Sequence, residues 1–184
     1  MKSLKGHFLV ASRSLSDPNF VRTVLLIIEH SEAGAAGVIL NRPTGATIAK
    51  ISEEVFDEVE DWEKPIFLGG PVPGPLMALH SVAALGDQEV IEGLFTTVDP
   101  EKIRDLIRQR AEPSLFLANY AGWGAGQLEM ELAQESWVFT PADITLVLEG
   151  GDASMWEAIM RRVSASILAN ALGIEELPED PTVN

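Results

Sequence analysis

Three histidines, at positions 7, 30 and 80, are the side chains of this 184-residue sequence whose ordinary titration lies nearest neutral pH. Their spacing contains neither His-x-His nor His-x3-His, so no local metal pair exists, and no metal or other cofactor is expected. Glu29 and His30 are adjacent at the end of an apolar run. In a strand such neighbours point to opposite faces, which argues against a direct dyad between them. His80 ends a second run and is expected as a hydrogen-bonded, half-buried imidazole, with a role as general base as the alternative. Asn41-Arg42-Pro43 ends a buried strand, where Arg42 could clamp an anion or simply belong to a turn. The absence of cysteine excludes a thiolate nucleophile, a disulfide framework and any cysteine-ligated zinc or iron–sulfur site. Neither a Gly-x-Ser-x-Gly elbow nor a Gly-x4-Gly-Lys-Ser/Thr phosphate loop is present.

Two glycine-rich segments have the texture of ligand loops. Leu68-Gly69-Gly70-Pro71-Val72 reads as a turn after a strand, with proline setting the exit direction. Gly122-Trp123-Gly124-Ala125-Gly126 lies between a strand and a helix and reads as a tight turn that needs positive φ or close approach by another group. Its glycine spacing and surroundings do not make a dinucleotide fingerprint. Trp123 is expected either as a core plug or as part of a ligand site, with the N–H groups of a helix starting near Gly126 available to an anion. Gln127, Glu129 and Glu131 then occupy the first turns of that helix.

The elements that must hold these groups can be read from periodicity. Phe8–Ala11, Val24–Ile28, Gly37–Leu40, Ile66–Leu68, Leu76–His80, Val90–Phe95 and Ser114–Tyr120 read as strands, and a loop containing Gly34 makes the second and third a hairpin. Ile48, Ile51, Val55, Val59 and Trp62 fall on one helical stripe, opposite an acidic face of Glu53, Glu54, Asp57, Glu58, Glu60 and Asp61. Asp99-Pro100 starts a helix that buries Ile103, Leu106 and Ile107. Ser154-Met155-Trp156-Glu157 reads as a capping box, followed by the stripe Trp156, Ile159, Met160, Val163 and Ile167 and a stop at Gly173. Residues 1–174 are expected as one domain and 175–184, with Pro178 and Pro181, as a loose acidic tail. Clustered strands with interspersed helices predict an α+β fold, a largely antiparallel bent sheet flanked by helices, rather than a doubly wound parallel sheet.

With 28 acidic against 13 basic residues, the formal charge is −15, and attraction to phosphate backbones or anionic lipid is disfavoured. The basic set Lys102, Arg104, Arg108 and Arg110 is interrupted by Glu101 and Asp105 and reads as a solvated helix side. The first residues are too short in their apolar run for a secretion signal, no stretch is long enough to span a bilayer, and a cytoplasmic location is expected.

Several of these segments together resemble the YqgE/AlgH family of bacterial proteins. The matching stretches are Gly6–Ala11, Asp17–Phe20, Val24–His30, Gly34–Pro43, Gly69–Val72, Leu79-His80 and Tyr120–Leu132, with Trp137 after them. The agreement covers about residues 4–145, and the region after about Glu149 departs from the usual family ending. The resemblance implies a compact α+β fold with a partly barrel-like sheet and a cytosolic bacterial protein, sometimes labelled a transcriptional regulator. It supplies no agreed catalytic residues.

Two readings of function follow. In the first, a binding or regulatory module recognises an unknown small molecule or protein partner through Asn41, Arg42, Gly69, Gly70, His80, Tyr120, Trp123, Gly124 and Gln127. In the second, an enzyme, such as a hydrolase, uses His30 or His80 as base and Arg42 as clamp. Direct nucleic-acid binding ranks third, because a strand-like segment separates the two helices that a helix-turn-helix would need. The binding module is the favoured reading.

Overall fold

The computed structural model describes residues 2–56 and 61–172. Asp57, Glu58, Val59, Glu60, Gly173 and the 175–184 tail lie outside them, as do the side chains of Glu53, Glu54, Val55 and Ile167. Among the described residues the order is β1 (His7–Ala11), β2 (Val24–Ser31), β3 (Gly34–Ile39), β4 (Pro43–Thr47), α1 (Ile48–Phe56), β5 (Pro65–Leu68) and β6 (Val72–His80). Then follow β7 (Gln88–Ile91), β8 (Leu94–Thr97), α2 (Pro100–Arg108), β9 (Ser114–Gly124), α3 (Gln127–Ala133), β10 (Trp137–Pro141), α4 (Ile144–Glu149) and α5 (Ala153–Leu172).

The strands form one curled sheet in the order β10-β1-β2-β3-β9-β6-β8-β7, with β5 also on β9 and β4 on β5. All pairs are antiparallel except β5 with β9. The curl makes a half-barrel, and the architecture is α+β, as the sequence pattern predicts. β9 is its spine: Ser114–Tyr120 pairs with β6, Phe116–Ala118 also with β5, and Ala121–Gly124 with β3.

Alternation along β9 separates two cores. Leu115 and Leu117 join the larger one, with β1–β3, α4 and α5, while Phe116 joins Ile48, Ile66, Ile103, Leu106 and Ile107 beneath α1 and α2. β2 explains its continuous apolar run, since Val24–Ile27 are fully buried on both faces. Each such aliphatic side chain contributes roughly 1.5–3 kcal/mol relative to exposure.

The expected start of α2 is found: Asp99 accepts hydrogen bonds from the Glu101 and Lys102 N–H groups, and Pro100 leads the helix. Four expectations need correction. Val90–Phe95 is not one strand but the inner part of the β7–β8 hairpin, which turns at Glu92-Gly93. The cap of α5 is Asp152 rather than Ser154; its Oδ1 accepts from both the N–H and the hydroxyl of Ser154. Gly122 and Gly124 do not form a turn, because β9 continues extended to Gly124 and only Gly126, at φ +74°, enters the left-handed region. Finally, β4, β10 and α4 have no counterpart in the periodicity reading. β4 is Pro-Thr-Gly-Ala-Thr, with no apolar run to mark it. α4 is the strand-like run Ile-Thr-Leu-Val-Leu-Glu, made helical by the Asp143 cap on the Thr145 and Leu146 N–H groups.

The tightest backbone approach is at Gly69-Gly70, where the chain leaves β5 and crosses β9. A Cβ on Gly70 would lie 2.1 Å from the Tyr120 carbonyl carbon, and one on Gly69 would lie 2.4 Å from the Asn119 oxygen. Both obstacles are backbone in the middle of the sheet, so neither can rotate away. Gly70→Ala is therefore expected to cost at least about 3 kcal/mol, the upper range for overpacking. Urea unfolding measures this, and a loss below about 1 kcal/mol would contradict the crossing geometry.

Candidate functional site

Asn41 and Arg42 serve one loop, Ser12–Arg22, that straps across the end of β2. Asn41 is buried; its Oδ1 accepts from the Val24 N–H at 2.9 Å, and its Nδ2 donates to the Arg22 carbonyl at 2.9 Å. Arg42 donates from Nη2 to the Pro18 and Val21 carbonyls at 3.2 and 3.3 Å. Partial burial lowers the Arg42 pKa, and Asp17 opposes that shift. For Arg42, with anion clamp and turn as the two readings, the structure does not show a free guanidinium: both residues fasten a backbone with no ladder of its own.

The loop's other anchor is Phe20, stacked on Trp123 at 6.2 Å and edge-on to Trp137 at 5.4 Å. Both indoles donate to one carboxylate oxygen, Glu131 Oε2, at 2.9 and 2.8 Å. Gln127 donates to the other oxygen at 2.9 Å and accepts from the Gly124 N–H at 3.1 Å. Glu131 thus ties α3 to β9 and β10. The short helix α3 presents Gln127, Glu129 and Glu131 where an anion was anticipated, and the carboxylates leave that end negative.

The two histidines of interest are engaged internally. The Leu4 N–H donates to His30 Nδ1 at 2.9 Å, so Nε2 carries the proton and donates to Glu129 Oε1 at 2.7 Å. His30 therefore has an acidic partner, though from α3 rather than from its neighbour Glu29. The Glu129 carboxyl is held below its usual range by its own backbone N–H and by His30. His80 is fully buried; the Val82 N–H donates to Nδ1 at 3.1 Å, and Nε2 donates to Thr97 Oγ1 at 2.8 Å. Burial lowers its pKa, Asp87 opposes this and Lys102 reinforces it.

The nine residues singled out from sequence fall into four places. Asn41 and Arg42 hold the loop, Gly69 and Gly70 cross β9 at Tyr120, Trp123, Gly124 and Gln127 gather around Glu131, and His80 sits with Thr97. The loop joins the first and third through Val21 and Phe20. Among the described residues no group of three or more histidines and carboxylates is arranged to hold a metal ion.

A concave feature that the sequence reading missed lies between this loop and α5. It is a cleft of about 430 Å³ lined by Leu15, Trp156 and Met160, with Arg13, Arg22 and Arg161 around it. Arg22 lies over the Trp156 ring at 5.6 Å, and the Trp156 Nε1–H donates to the Ala11 carbonyl at 2.7 Å. The only sequence signal was the pair of arginines bracketing the loop, whose partner Arg161 comes from the far end of the chain. The basic set on and just after α2 behaves differently: Lys102 pairs with Asp87, Arg104 with Glu101 and Arg110 with Asp61.

Fold and site together define a small α+β half-barrel module whose polar groups gather on a strapped loop and an arginine-lined cleft. The AlgH-like family model matches residues 8–168, and the chain belongs to this AlgH-like, UPF0301 family. A UPF0301 protein of Thioalkalivibrio sulfidiphilus is 35% identical over 168 residues, covering 88% of this chain and 90% of that protein. One from Nitrosococcus oceani is 36% identical over 186 residues, covering 92% and 95%. The solution structure of the AlgH protein from Pseudomonas aeruginosa matches with a TM-score of 0.77 at 29% identity over 97% of each chain. The crystal structure of protein DIP2367 from Corynebacterium diphtheriae matches with 0.69 at 28% identity over 88% of each. The family match continues well beyond Glu149, so α5 belongs to the shared fold, contrary to the expected departure. Among the described residues no helix is long and apolar enough to cross a membrane.

Two outcomes are expected. Glu131→Leu leaves two indole N–H groups without their acceptor and should cost about 2–4 kcal/mol, at the scale of lost charge-assisted hydrogen bonds; chemical denaturation with near-UV circular dichroism reports both the loss and the loosened indoles. For His80, the native pKa lies below the unfolded value of 6.5. The unfolded chain then binds the proton first, so this contribution is complete above 6.5 and is lost as the pH falls from there towards the native value, by up to about 1.4 kcal/mol per pH unit. Urea titrations from pH 7.5 to 5.5 should show a decline that His80→Gln flattens.

Proposed function

We propose that this chain is a binding module whose recognition site is the cleft between the Ser12–Arg22 loop and α5, and that its ligand is a small molecule. The observation that carries this reading is the fastening of the loop. Asn41 holds the Arg22 carbonyl, Arg42 holds those of Pro18 and Val21, and Phe20 is packed on two indoles. A loop held this way keeps a concave surface open without a ligand, and preformed concavity with a few convergent polar groups is what small-molecule sites share. Asn41, Arg42 and Trp123 enter this reading as positioning residues behind the loop.

The catalytic alternative draws no support from the same geometry. His80 is sealed from solvent and spends both ring nitrogens internally, His30 spends both of its own on the Leu4 N–H and on Glu129, and the hydrogen bonds of Arg42 go to loop carbonyls. A formal charge of −15 also supports a ligand other than nucleic acid.

Thermal unfolding against a panel of anionic, neutral and cationic metabolites tests the reading. A ligand at about 100 times its dissociation constant stabilises by roughly 2.7 kcal/mol, about 5–10 °C for a domain near this size. A shift that disappears in Leu15→Trp, which fills the cleft, supports it. A panel flat in every chemical class counts against a small-molecule site.

A further inference from the structure

We infer that the cleft takes a compact dianionic head group, a phosphate monoester or a pair of carboxylates, carried on an apolar or aromatic body. This rests on the reading of the cleft as a ligand site and names what it binds.

Charge is the first ground. The chain as a whole carries −15, yet Arg13, Arg22 and Arg161 converge on one cleft that Glu157 alone opposes. Among the described residues none of the three guanidinium groups forms an ion pair or a hydrogen bond. Glu157 stands one helical turn from Arg161 without pairing to it. On and just after α2, by contrast, cations have found carboxylates. In so acidic a protein three unpaired arginines at one place are a net charge of about +2 waiting for its complement, and a phosphate monoester at neutral pH carries about −1.5 to −2. Guanidinium is also the cation whose planar fork matches phosphate and carboxylate oxygens in pairs.

Backbone conformation is the second. Arg22 adopts φ +55°, a left-handed setting uncommon for a residue other than glycine. Asn41 grips its carbonyl, and its guanidinium is laid on the Trp156 ring. The held carbonyl and the ring contact together fix one positive charge in the lining of the cleft. The third ground is the wall. Leu15, Val21, Met160 and the edge of Trp156 supply an apolar side next to the cations, which suits a head group with a hydrophobic body better than inorganic phosphate.

The test is a nitrogen-15 NMR titration of the full chain, reading the indole N–H of Trp156 among the four tryptophans. Phenyl phosphate and phthalate probe the two kinds of dianion, and benzyl alcohol is the uncharged control. We expect the Trp156 indole signal to move with at least one dianion and not with benzyl alcohol. Arg13→Gln and Arg161→Gln, at exposed positions with no internal partner, should each weaken binding about tenfold, the scale of one lost hydrogen bond to a charged group. Raising the salt from about 50 to 300 mM should weaken it further, as screening requires. Binding of benzyl alcohol as tightly as phenyl phosphate, or dianion binding unchanged in both variants, would overturn the assignment of ligand class and leave the cleft standing as a site. No movement of Trp156 with any of the three compounds would overturn both.

Discussion

The close crossing of Gly69-Gly70 over β9 is the constraint around which the rest of the molecule is arranged. At that point β5 ends beside β9, and two residues later β6 begins pairing with the same strand from the opposite direction. Only residues without Cβ allow the two backbones to approach so closely, since the obstacles are the Asn119 carbonyl for Gly69 and the Tyr120–Ala121 peptide for Gly70. Because the crossing lets β9 be shared, one strand joins the β10-β1-β2-β3 part of the sheet to the β6-β8-β7 part, and the sheet curls rather than splitting. The Gly69 carbonyl also accepts from the Ile39 N–H, which docks the end of β3 at the same place.

From that spine the polar groups acquire their tasks. β3 ends at Ile39, and the chain delivers Asn41 and Arg42 directly beneath the Ser12–Arg22 loop, where they replace the ladder bonds the loop lacks. β9 continues to Gly124 and sets Trp123 beside Trp137 of β10, and Glu131 binds both indoles. The loop therefore rests on two independent supports, one made of carbonyl acceptors and one of aromatic rings. Its outer surface, with Arg13, Leu15 and Arg22, is left to face α5 across the cleft. The same contacts that fasten the loop to the fold also set where its cleft-facing side chains lie.

This division also explains why chemically suggestive residues are engaged in internal contacts. His80 at a strand end, Asn41-Arg42 before a proline and tryptophan between glycines all have the residue types of a site. Buried polar groups must nevertheless be hydrogen-bonded, and each of these satisfies backbone or side-chain partners in a crowded sheet. The arginines of the cleft were inconspicuous in sequence for the converse reason. A single exposed arginine has no local signature, and only convergence gives it meaning.

What the sequence by itself determined was the class of fold and most of its elements. Strand alternation and helical stripes are local consequences of burying one face, and they show in the run Val24–Ile28 and in Ile103, Leu106 and Ile107. Asp99 was legible as a cap because capping involves only the next two or three residues. Misreadings came where local pattern competes with context: Val90–Phe95 hides a hairpin turn, and α4 carries a strand-like run that its cap and its packing against β9 turn into a helix. The tertiary structure alone decided which residues share a place. It gave His30 a partner from α3, gave Trp123 and Trp137 one carboxylate, and brought Arg161 to Arg13 and Arg22. Such juxtapositions depend on long-range packing of β9 and α5, and no spacing along the chain encodes them.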